Sequence, residues 1–356
     1  MFGRFMNLNL SAYVIEGVTP KGGHPIKMLV AGVGAFRQHV NKIVCGSTGV
    51  ERSIGKIPVW RIESVASKQD CDLILLTANA FGSRLGWYSD FFCLPQWIFG
   101  EVALDEADIY VGQTYHRRRD IRIVGENKLT YSVTTDRDIL TRWYEDMYVP
   151  LIRASHGSAA LLMNFDEMMA RVGRRECELV LIADPDMPLG GSLIVYDNGR
   201  PRILARGILD ANRDYQRKGV GAAIYLFSFD HLYKQGYKSV DIGRVRPFLG
   251  DGGLHFKKKN GLRLAGHAGK GFLITACRSS SAATEFFTEN PFVHISDGGL
   301  RGVVILTENS SQTEKQIRKW VHYHELRGLD VLDVIRIPET TMINKSSIDR
   351  ASRVTF

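Results

Sequence analysis

Residues 202–221 read Arg-Ile-Leu-Ala-Arg-Gly-Ile-Leu-Asp-Ala-Asn-Arg-Asp-Tyr-Gln-Arg-Lys-Gly-Val-Gly, and an apolar helical pattern follows from Ala222 to about Gln235. An apolar strand thus opens through Gln216-Arg217-Lys218-Gly219-Val220-Gly221 into a helix start. The first N–H groups of a helix lack intrahelical partners and point the same way, and the helix dipole adds partial positive charge there. Gly219 and Gly221 let the backbone approach an anion closely, while Arg217 and Lys218 bring full charges beside it. The stretch predicts a site for a diphosphate or other phosphate-bearing ligand, with a plain polar helix cap as the alternative. It is not a nucleotide-triphosphate loop, since G-x-x-x-x-G-K-[S/T] is missing. A dinucleotide loop would need a third glycine where Ile224 stands.

Working outward by hydrophobic period and turn residues, Glu178 to Ala183 is a strand, Asp184-Pro185-Asp186 a turn and Gly191 to Tyr196 a strand. Asp197-Asn198-Gly199 then turns into the Arg202 strand. Short Asp/Asn/Gly/Pro turns join antiparallel neighbours, so a three-strand meander is expected. Upstream, the pattern predicts a strand from Leu129 to Thr134 and a helix from Asp136 to Tyr148 that Pro150 ends. A second helix, Ser158 to Val172, carries Ala159, Leu162, Met163, Met169 and Val172 on or near one face. Downstream lie a strand (Lys238 to Ile242), a short helix near Leu254 to Lys259 and a strand from Leu262.

The spacing Gln216-x-x-Gly219-x-Gly221 resembles the pyrophosphate loop of the GNAT N-acetyltransferase superfamily, where such a loop cradles coenzyme A. The element order β-α-α-β-β-β-α-β-α-β over residues 129–277 is similar to that fold. A second resemblance covers residues 243–261, Gly-Arg-Val-Arg-Pro-Phe-Leu-Gly-Asp-Gly-Gly-Leu-His-Phe-Lys-Lys-Lys-Asn-Gly. It is similar to the G-x-S-R-P-F-L-x-D-G-x-L-x-x-K-x-K-W-G signature of a branch related to Fem-type aminoacyltransferases. Those enzymes use aminoacyl-tRNA to extend the peptide bridges of cell-wall precursors, and Phe256-Lys257 resembles their Phe-Lys pair. Trp143-Tyr144-Glu145-Asp146-Met147-Tyr148-Val149-Pro150 also looks like that branch's helix end. Two positions depart from the signature: Val245 replaces a serine and Asn260 replaces a tryptophan.

The resemblance implies an α/β (α+β) GNAT-like acyltransferase fold in two lobes, with a mixed, mostly antiparallel sheet. It implies acetyl-CoA or another acyl-CoA as donor substrate, held by Gln216, Arg217, Lys218, Gly219, Val220, Gly221 and Ala222. Backbone near Gly207 to Leu209, with Ile208 at its centre, would meet the oxyanion. The family's usual acid is a tyrosine four residues before the glycine of the last helix-strand turn. Counting back from Gly261 gives Lys257, which can donate a proton or stabilise developing negative charge. Fem-type enzymes pair two GNAT-like lobes, so the N-terminal part is a candidate second lobe.

Other residues are read from their chemistry. Asp251 is a candidate general base and equally a helix N-cap. Arg244 and Arg246 follow a strand end and suit bidentate capture of a carboxylate or phosphate, or a surface ion pair. His255 lies beside the lysines as a further substrate-binding candidate, against a structural role. No Cys-His or Ser-His-Asp spacing points to a covalent intermediate, so direct transfer to an amine of a small molecule or peptide is expected. An aminoacyl-tRNA-dependent transferase is the alternative, and a silent polyanion-binding GNAT-like module a third reading.

The net charge of +8 over 356 residues suits a polyanionic partner, whether coenzyme A, a nucleotide-linked sugar, tRNA or an acidic membrane. His116-Arg117-Arg118-Arg119, with Arg122, reads as a solvated loop or strand edge, with nucleic-acid contact as the alternative. Lys257-Lys258-Lys259 falls where the resembling family has its acceptor-side helix. No apolar run approaches the roughly 18 residues of a membrane span, and Met1 to Ser11 has no continuous apolar core. Cys45, Cys71, Cys93, Cys177 and Cys277 are odd in number and form no C-x-x-C pair. A reduced, cytoplasmic protein without metal is therefore expected.

The organisation expected is an N-terminal α+β lobe over 1–128, a catalytic domain over 129–277, a strand-helix-strand extension over 278–336 and a loosely held tail over 337–356. In the first lobe Ala12 to Glu16, Lys27 to Ala31, Pro58 to Ser64 and Asp72 to Thr77 read as strands, and Ala35 to Val44 as a helix. Gly46-Ser47-Thr48-Gly49 reads as a turn or an anion site. The aromatics from Trp87 to Trp97 read as core, interlobe packing or a ligand groove. The extension comprises a strand (Gly302 to Leu306), a helix (Ser311 to Leu326) and a strand (Leu329 to Ile335).

Overall fold

The computed structural model describes residues 9–34, 36–46, 49–77, 88–112, 114–157, 162–268, 271–296, 299–308 and 313–353. Helices and mixed sheets alternate along them, and two compact units result. One comprises Met1–Ile98, Val245–His255 and Gly266–Phe356, the other Phe99–Arg244 and Phe256–Ala265. These cuts differ from the expected boundaries, because the apolar run after Leu262 makes two strands that join two different sheets.

In the first unit β1 (Asn9–Val18), β2 (Pro25–Ala31), β3 (Val50–Pro58), β4 (Leu73–Thr77), β5 (Phe92–Leu94) and β13 (Phe272–Ala276) form a sheet of order β3-β1-β2-β4-β13-β5. β2 and β4 run parallel, the other pairs antiparallel. β4 reads Leu-Ile-Leu-Leu-Thr because both its faces are covered. Leu73 and Leu75 join a core with the helices Phe36–Cys45 and Ser281–Glu289. Ile74 and Leu76 join another with Ile62 and Ala66. That second core explains one correction: β3 stops at Pro58, and Pro58 to Ser64 is no strand. Val59–Arg61 makes a tight turn, and Ile62–Lys68 is a helix burying residues four apart. A smaller sheet, β14 (Phe292–Ser296), β15 (Gly299–Thr307), β16 (Val331–Ile337) and β17 (Ser352–Arg353), carries the expected extension.

Residues 343–350, expected in a loose tail, are ordered. Asn344 and Ser347 exchange capping bonds at the start of the helix Lys345–Arg350, and Ile343 and Ile348 bury 1% and 7% exposed into the first core. Trp87, Ser47, Thr48 and Ala159 lie outside the described residues.

The second unit holds one sheet of order β12-β6-β11-β10-β9-β8-β7. Its strands are β6 (Trp97–Ala103), β7 (Thr130–Thr134), β8 (Cys177–Ala183), β9 (Pro188–Asp197), β10 (Arg200–Ile208), β11 (Ser239–Val245) and β12 (Arg263–Ala268). β7 to β10 form the antiparallel meander. The Asp184 side chain accepts from the N–H groups of Asp186 and Met187, and Asn198 and Gly199 take φ of 51° and 75° in the tight turn into β10. The loop helix, Val220–Lys234, then crosses to β11, which runs parallel to β10.

Three helix expectations shift. Pro150 does not end the first helix: Arg137–Arg142 continues through a wide π turn, Trp143–Tyr148, into Val149–His156, with Pro150 in the first turn of that last segment. A π turn just ahead of the proline spares the chain an unmade helical bond. The second helix begins only at Phe165, where Asn164 caps it, and Leu162 and Met163 precede it. His116 to Arg119 is neither loop nor strand edge. Thr114 caps a helix, Tyr115–Glu126, in which Arg117 is buried.

Close backbone approach sets how this unit packs. A Cβ on Gly207 would lie 2.7 Å from the Met147 carbonyl carbon and 2.8 Å from the Tyr148 nitrogen, and one on Gly190 would lie 2.8 Å from the Gly207 oxygen. The π turn therefore rests directly on β10.

In the first unit, His294 on β14 sits edge-on to Phe92 and Phe292, and burial pushes its pKa down to about 4, partly offset by Asp333. Between the ordinary value near 6.5 and about 4, the unfolded chain binds a proton that the folded chain refuses. Stability should then fall as pH drops through this window, by roughly 1.4 kcal/mol per pH unit. Urea melts from pH 7 to 4 should show that slope, reduced in His294→Gln; an equal slope in both proteins contradicts it.

Candidate functional site

At the end of β10 the chain turns through Leu209–Ala211, with Asp210 and Ala211 at φ 53°, and a short helical turn, Arg213–Arg217, capped by Asn212. Gly219 takes φ 89° and begins the loop helix without any side-chain cap. Val220, Gly221 and Ala222 thus head a helix that, among the described residues, has no side-chain cap on its first N–H groups. The two glycines differ. A Cβ on Gly219 would meet Ile123 Cγ2 at 2.7 Å, whereas one on Gly221 would meet nothing within 4 Å. Gly219 is needed by the fold, while Gly221 leaves open space at the helix start.

Gln216, Arg217 and Lys218 are exposed beside this helix start. Arg217 pairs with Asp214 at 2.6 Å, and Lys218 lies 3.8 Å from Asp184. Exposed pairs of this kind are weak and exchange easily for a stronger anion.

β10 and β11 share the register pair Arg202↔Asp241, while on its other side β10 stays paired with β9 out to Ile208↔Gly190. The short helix Gly252–Lys259 brings Lys257 to the end of β11. Its Nζ donates to the Arg244 carbonyl at 3.1 Å, and a Cβ built on Gly243 would lie 3.3 Å from that nitrogen and 3.8 Å from the Ile203 oxygen. Gly243, at φ 84°, leaves room for the ammonium there. Lys259 instead pairs with Asp120 at 2.6 Å. Successive residues on a helix point about 100° apart, which separates the roles of these lysines.

The remaining candidates fall elsewhere. Asp251 accepts from the Leu254 N–H at 2.9 Å, the geometry of an N-cap. His255 stacks on Tyr323 at 3.9 Å and meets His324 edge-on. Arg246 lies 3.6 Å over the Trp97 ring and donates to the Gln96 carbonyl, and burial lowers its pKa to about 10 against the opposing effect of Asp251. Arg244 is exposed. Trp97 thus stacks on an arginine.

One group near Lys257 escaped the sequence reading. Arg206 on β10 places its guanidinium carbon 4.7 Å from the centre of the Phe256 ring and 5.9 Å from that of Tyr225 on the loop helix. In sequence it is one of three arginines, with Arg200 and Arg202, in a strand that otherwise reads apolar. Among the described residues, no cluster of His, Cys, Asp or Glu suits a metal ion, and no helix is long and apolar enough to cross a membrane.

No family model and no curated protein matches the chain. Among solved structures it is similar to a FemX, with TM-score 0.38 and 12% identity over 76% of this chain and 86% of that one. It is also similar to L-PGS from Bacillus licheniformis, with TM-score 0.36 and 14% identity over 72% and 82% of the two chains. A GCN5-related N-acetyltransferase from Sphaerobacter thermophilus gives TM-score 0.35 and 11% identity over 73% and 79%. The neighbours therefore include the GNAT and Fem types that the sequence resembles. Likenesses this distant leave donor and acceptor to be argued from the residues.

The Asp251 geometry separates its two readings. Asp251→Asn keeps the cap and should hold stability within a few tenths of a kcal/mol, while Asp251→Ala should lose about 1 kcal/mol in urea melts. Equal, negligible losses in both variants would deny the cap.

Proposed function

We propose that the chain is an N-acyltransferase that passes an acyl group from acyl-coenzyme A directly to an amine. The observation that carries this reading is the uncapped start of the loop helix, where Gly221 leaves space for a phosphate next to Arg217 and Lys218. A diphosphate there would take the first-turn N–H groups and the positive end of the helix dipole. The donor would then run along the end of β10, past Ile208, towards Lys257.

Direct transfer requires the amine to attack the carbonyl carbon, the oxygen to pass through an oxyanion and the carrier to leave with its electron pair. Backbone near Ile208 is the proposed oxyanion contact. The Lys257 ammonium supplies fixed positive charge for the leaving group or the oxyanion. Asp251 and His255, engaged in capping and stacking, are left as secondary candidates; Arg244 is kept as a substrate-binding one.

That the group at the strand ends is an ammonium rather than a phenol favours a second reading, transfer from an aminoacyl-tRNA to a peptide amine. An ester oxygen is a poorer leaving group than a thiolate, and a neighbouring cation aids it more.

Coenzyme A at about a hundred times its dissociation constant should stabilise the protein by roughly 2.7 kcal/mol. In a thermal melt Gly221→Asp should abolish that shift while leaving the melting point without ligand close to the parent's, since the side chain meets open space. A shift from charged tRNA and none from coenzyme A would select the second reading.

Lys257→Ala should lower turnover at least tenfold more than Lys259→Ala, whose loss is that of a surface ion pair to Asp120. Equal losses would mean a diffuse electrostatic patch.

A further inference from the structure

Half-buried arginines in this protein generally meet an oxygen. Arg37 pairs with Glu51, Arg171 and Arg202 with Asp197, Arg301 with Asp333, and Arg246 donates to a carbonyl. Arg206 differs. It is half-buried, yet among the described residues it meets only rings, Phe256 and Tyr225, themselves edge to face at 5.2 Å. Rings above a guanidinium fix its position through their faces, but its five N–H groups point outward in its plane and need acceptors.

The location narrows what the acceptor is. Arg206 lies four residues past the β10–β11 register pair at Arg202, on the strand that runs into the phosphate loop. Phe256, which it covers, is the neighbour of Lys257. Tyr225, 3% exposed and one turn into the loop helix from Gly221, makes no hydrogen bond through its hydroxyl to any described residue. A planar cation and a phenol side by side, without a protein carboxylate, match a carboxylate that arrives with a substrate.

We propose that Arg206, with Tyr225, binds a substrate carboxylate, so that this enzyme prefers an acidic acyl group or a carboxylate-bearing amine. This rests on the acyltransferase reading above and adds the substrate class. The carboxylate can come from either reactant, and the two sources separate by binding measurements.

Calorimetry would compare succinyl-CoA with butyryl-CoA, which match in chain length, and alanyl-alanine with its C-terminal amide. The expected result is a preference of about tenfold for the carboxylate in one pair. That pair names the source. Arg206→Gln should erase the preference without weakening coenzyme A itself, Arg206→Lys should keep part of it, and Tyr225→Phe should reduce it in a protein with an unaltered melting point. Binding of coenzyme A reports on the acyltransferase reading separately. Ratios near one in both pairs, or a preference that survives Arg206→Gln, overturn the proposal and leave Arg206 a packing residue.

Discussion

Everything in the candidate site hangs on how β10 is held. On one side it stays paired with β9 to its end, and the π turn Trp143–Tyr148 lies directly on Gly207. On the other, its register with β11 is at Arg202, six residues before its end. Glycines make this possible: a side chain at Gly190 or Gly207 would strike backbone, so no larger residue lets the layers approach so closely. The strand is thus rigid on one edge, and its last residues lead into the loop and helix start. A reacting group is positioned best when the strand that carries it is held in this way.

Charge is distributed around this strand with some economy. Asp230, on the far half of the loop helix, is buried, which works to raise its pKa. Hydrogen bonds from Lys234, Tyr110 and Tyr131 outweigh that and hold it below the ordinary carboxylate range. Glu178 behaves alike, with His231 and Tyr196 donating to its carboxylate against the pull of burial. Those clusters are satisfied and structural. At the loop end of the same helix, Arg217 and Lys218 each face one acid, Asp214 and Asp184, and the helix dipole adds partial positive charge. One helix therefore carries a hydrogen-bonded carboxylate in its far half and exposed cations beside its start.

Much of this was legible in the sequence because the signals were local. The meander from Glu178 to Ile208 needed only alternation and Asp/Asn/Gly turns, and the loop needed only its glycines and the apolar run behind it. What failed depended on distant partners. Pro150 reads as a helix end, but a π turn before it absorbs the missing N–H. The apolar run after Leu262 reads as one strand, yet its halves serve different sheets, a choice made by β4 and β6 far along the chain. The C-terminal run reads as polar because its buried residues, Ile337, Ile343 and Ile348 among them, are few and widely spaced. In the candidate site, the loop residues are proposed from their spacing. Arg206 is not, since what sets it apart is the lack of an acid beside it in space.

The departures from the resembling signature have physical counterparts. Val245 is 6% exposed, where a serine would bring a hydroxyl needing a partner. Asn260, 3% exposed, donates through its side chain to the Phe256 carbonyl at 2.9 Å and accepts from Arg117 at 3.3 Å. Arg117 is the middle of what reads as a solvated basic run, yet it lies 2% exposed over the Phe229 ring, with burial lowering its pKa and Asp108 and Asp120 opposing the shift. A tryptophan at 260 offers an indole N–H and no acceptor, so it would leave that guanidinium poorer by one oxygen in a site where an unmet donor costs about 1–3 kcal/mol or more. The hydrogen bond between Asn260 and the buried Arg117 therefore serves both side chains. It ties the helix bearing Phe256 and Lys257 to the helix Tyr115–Glu126, and Lys259 with Asp120 adds a second tie between the same two helices.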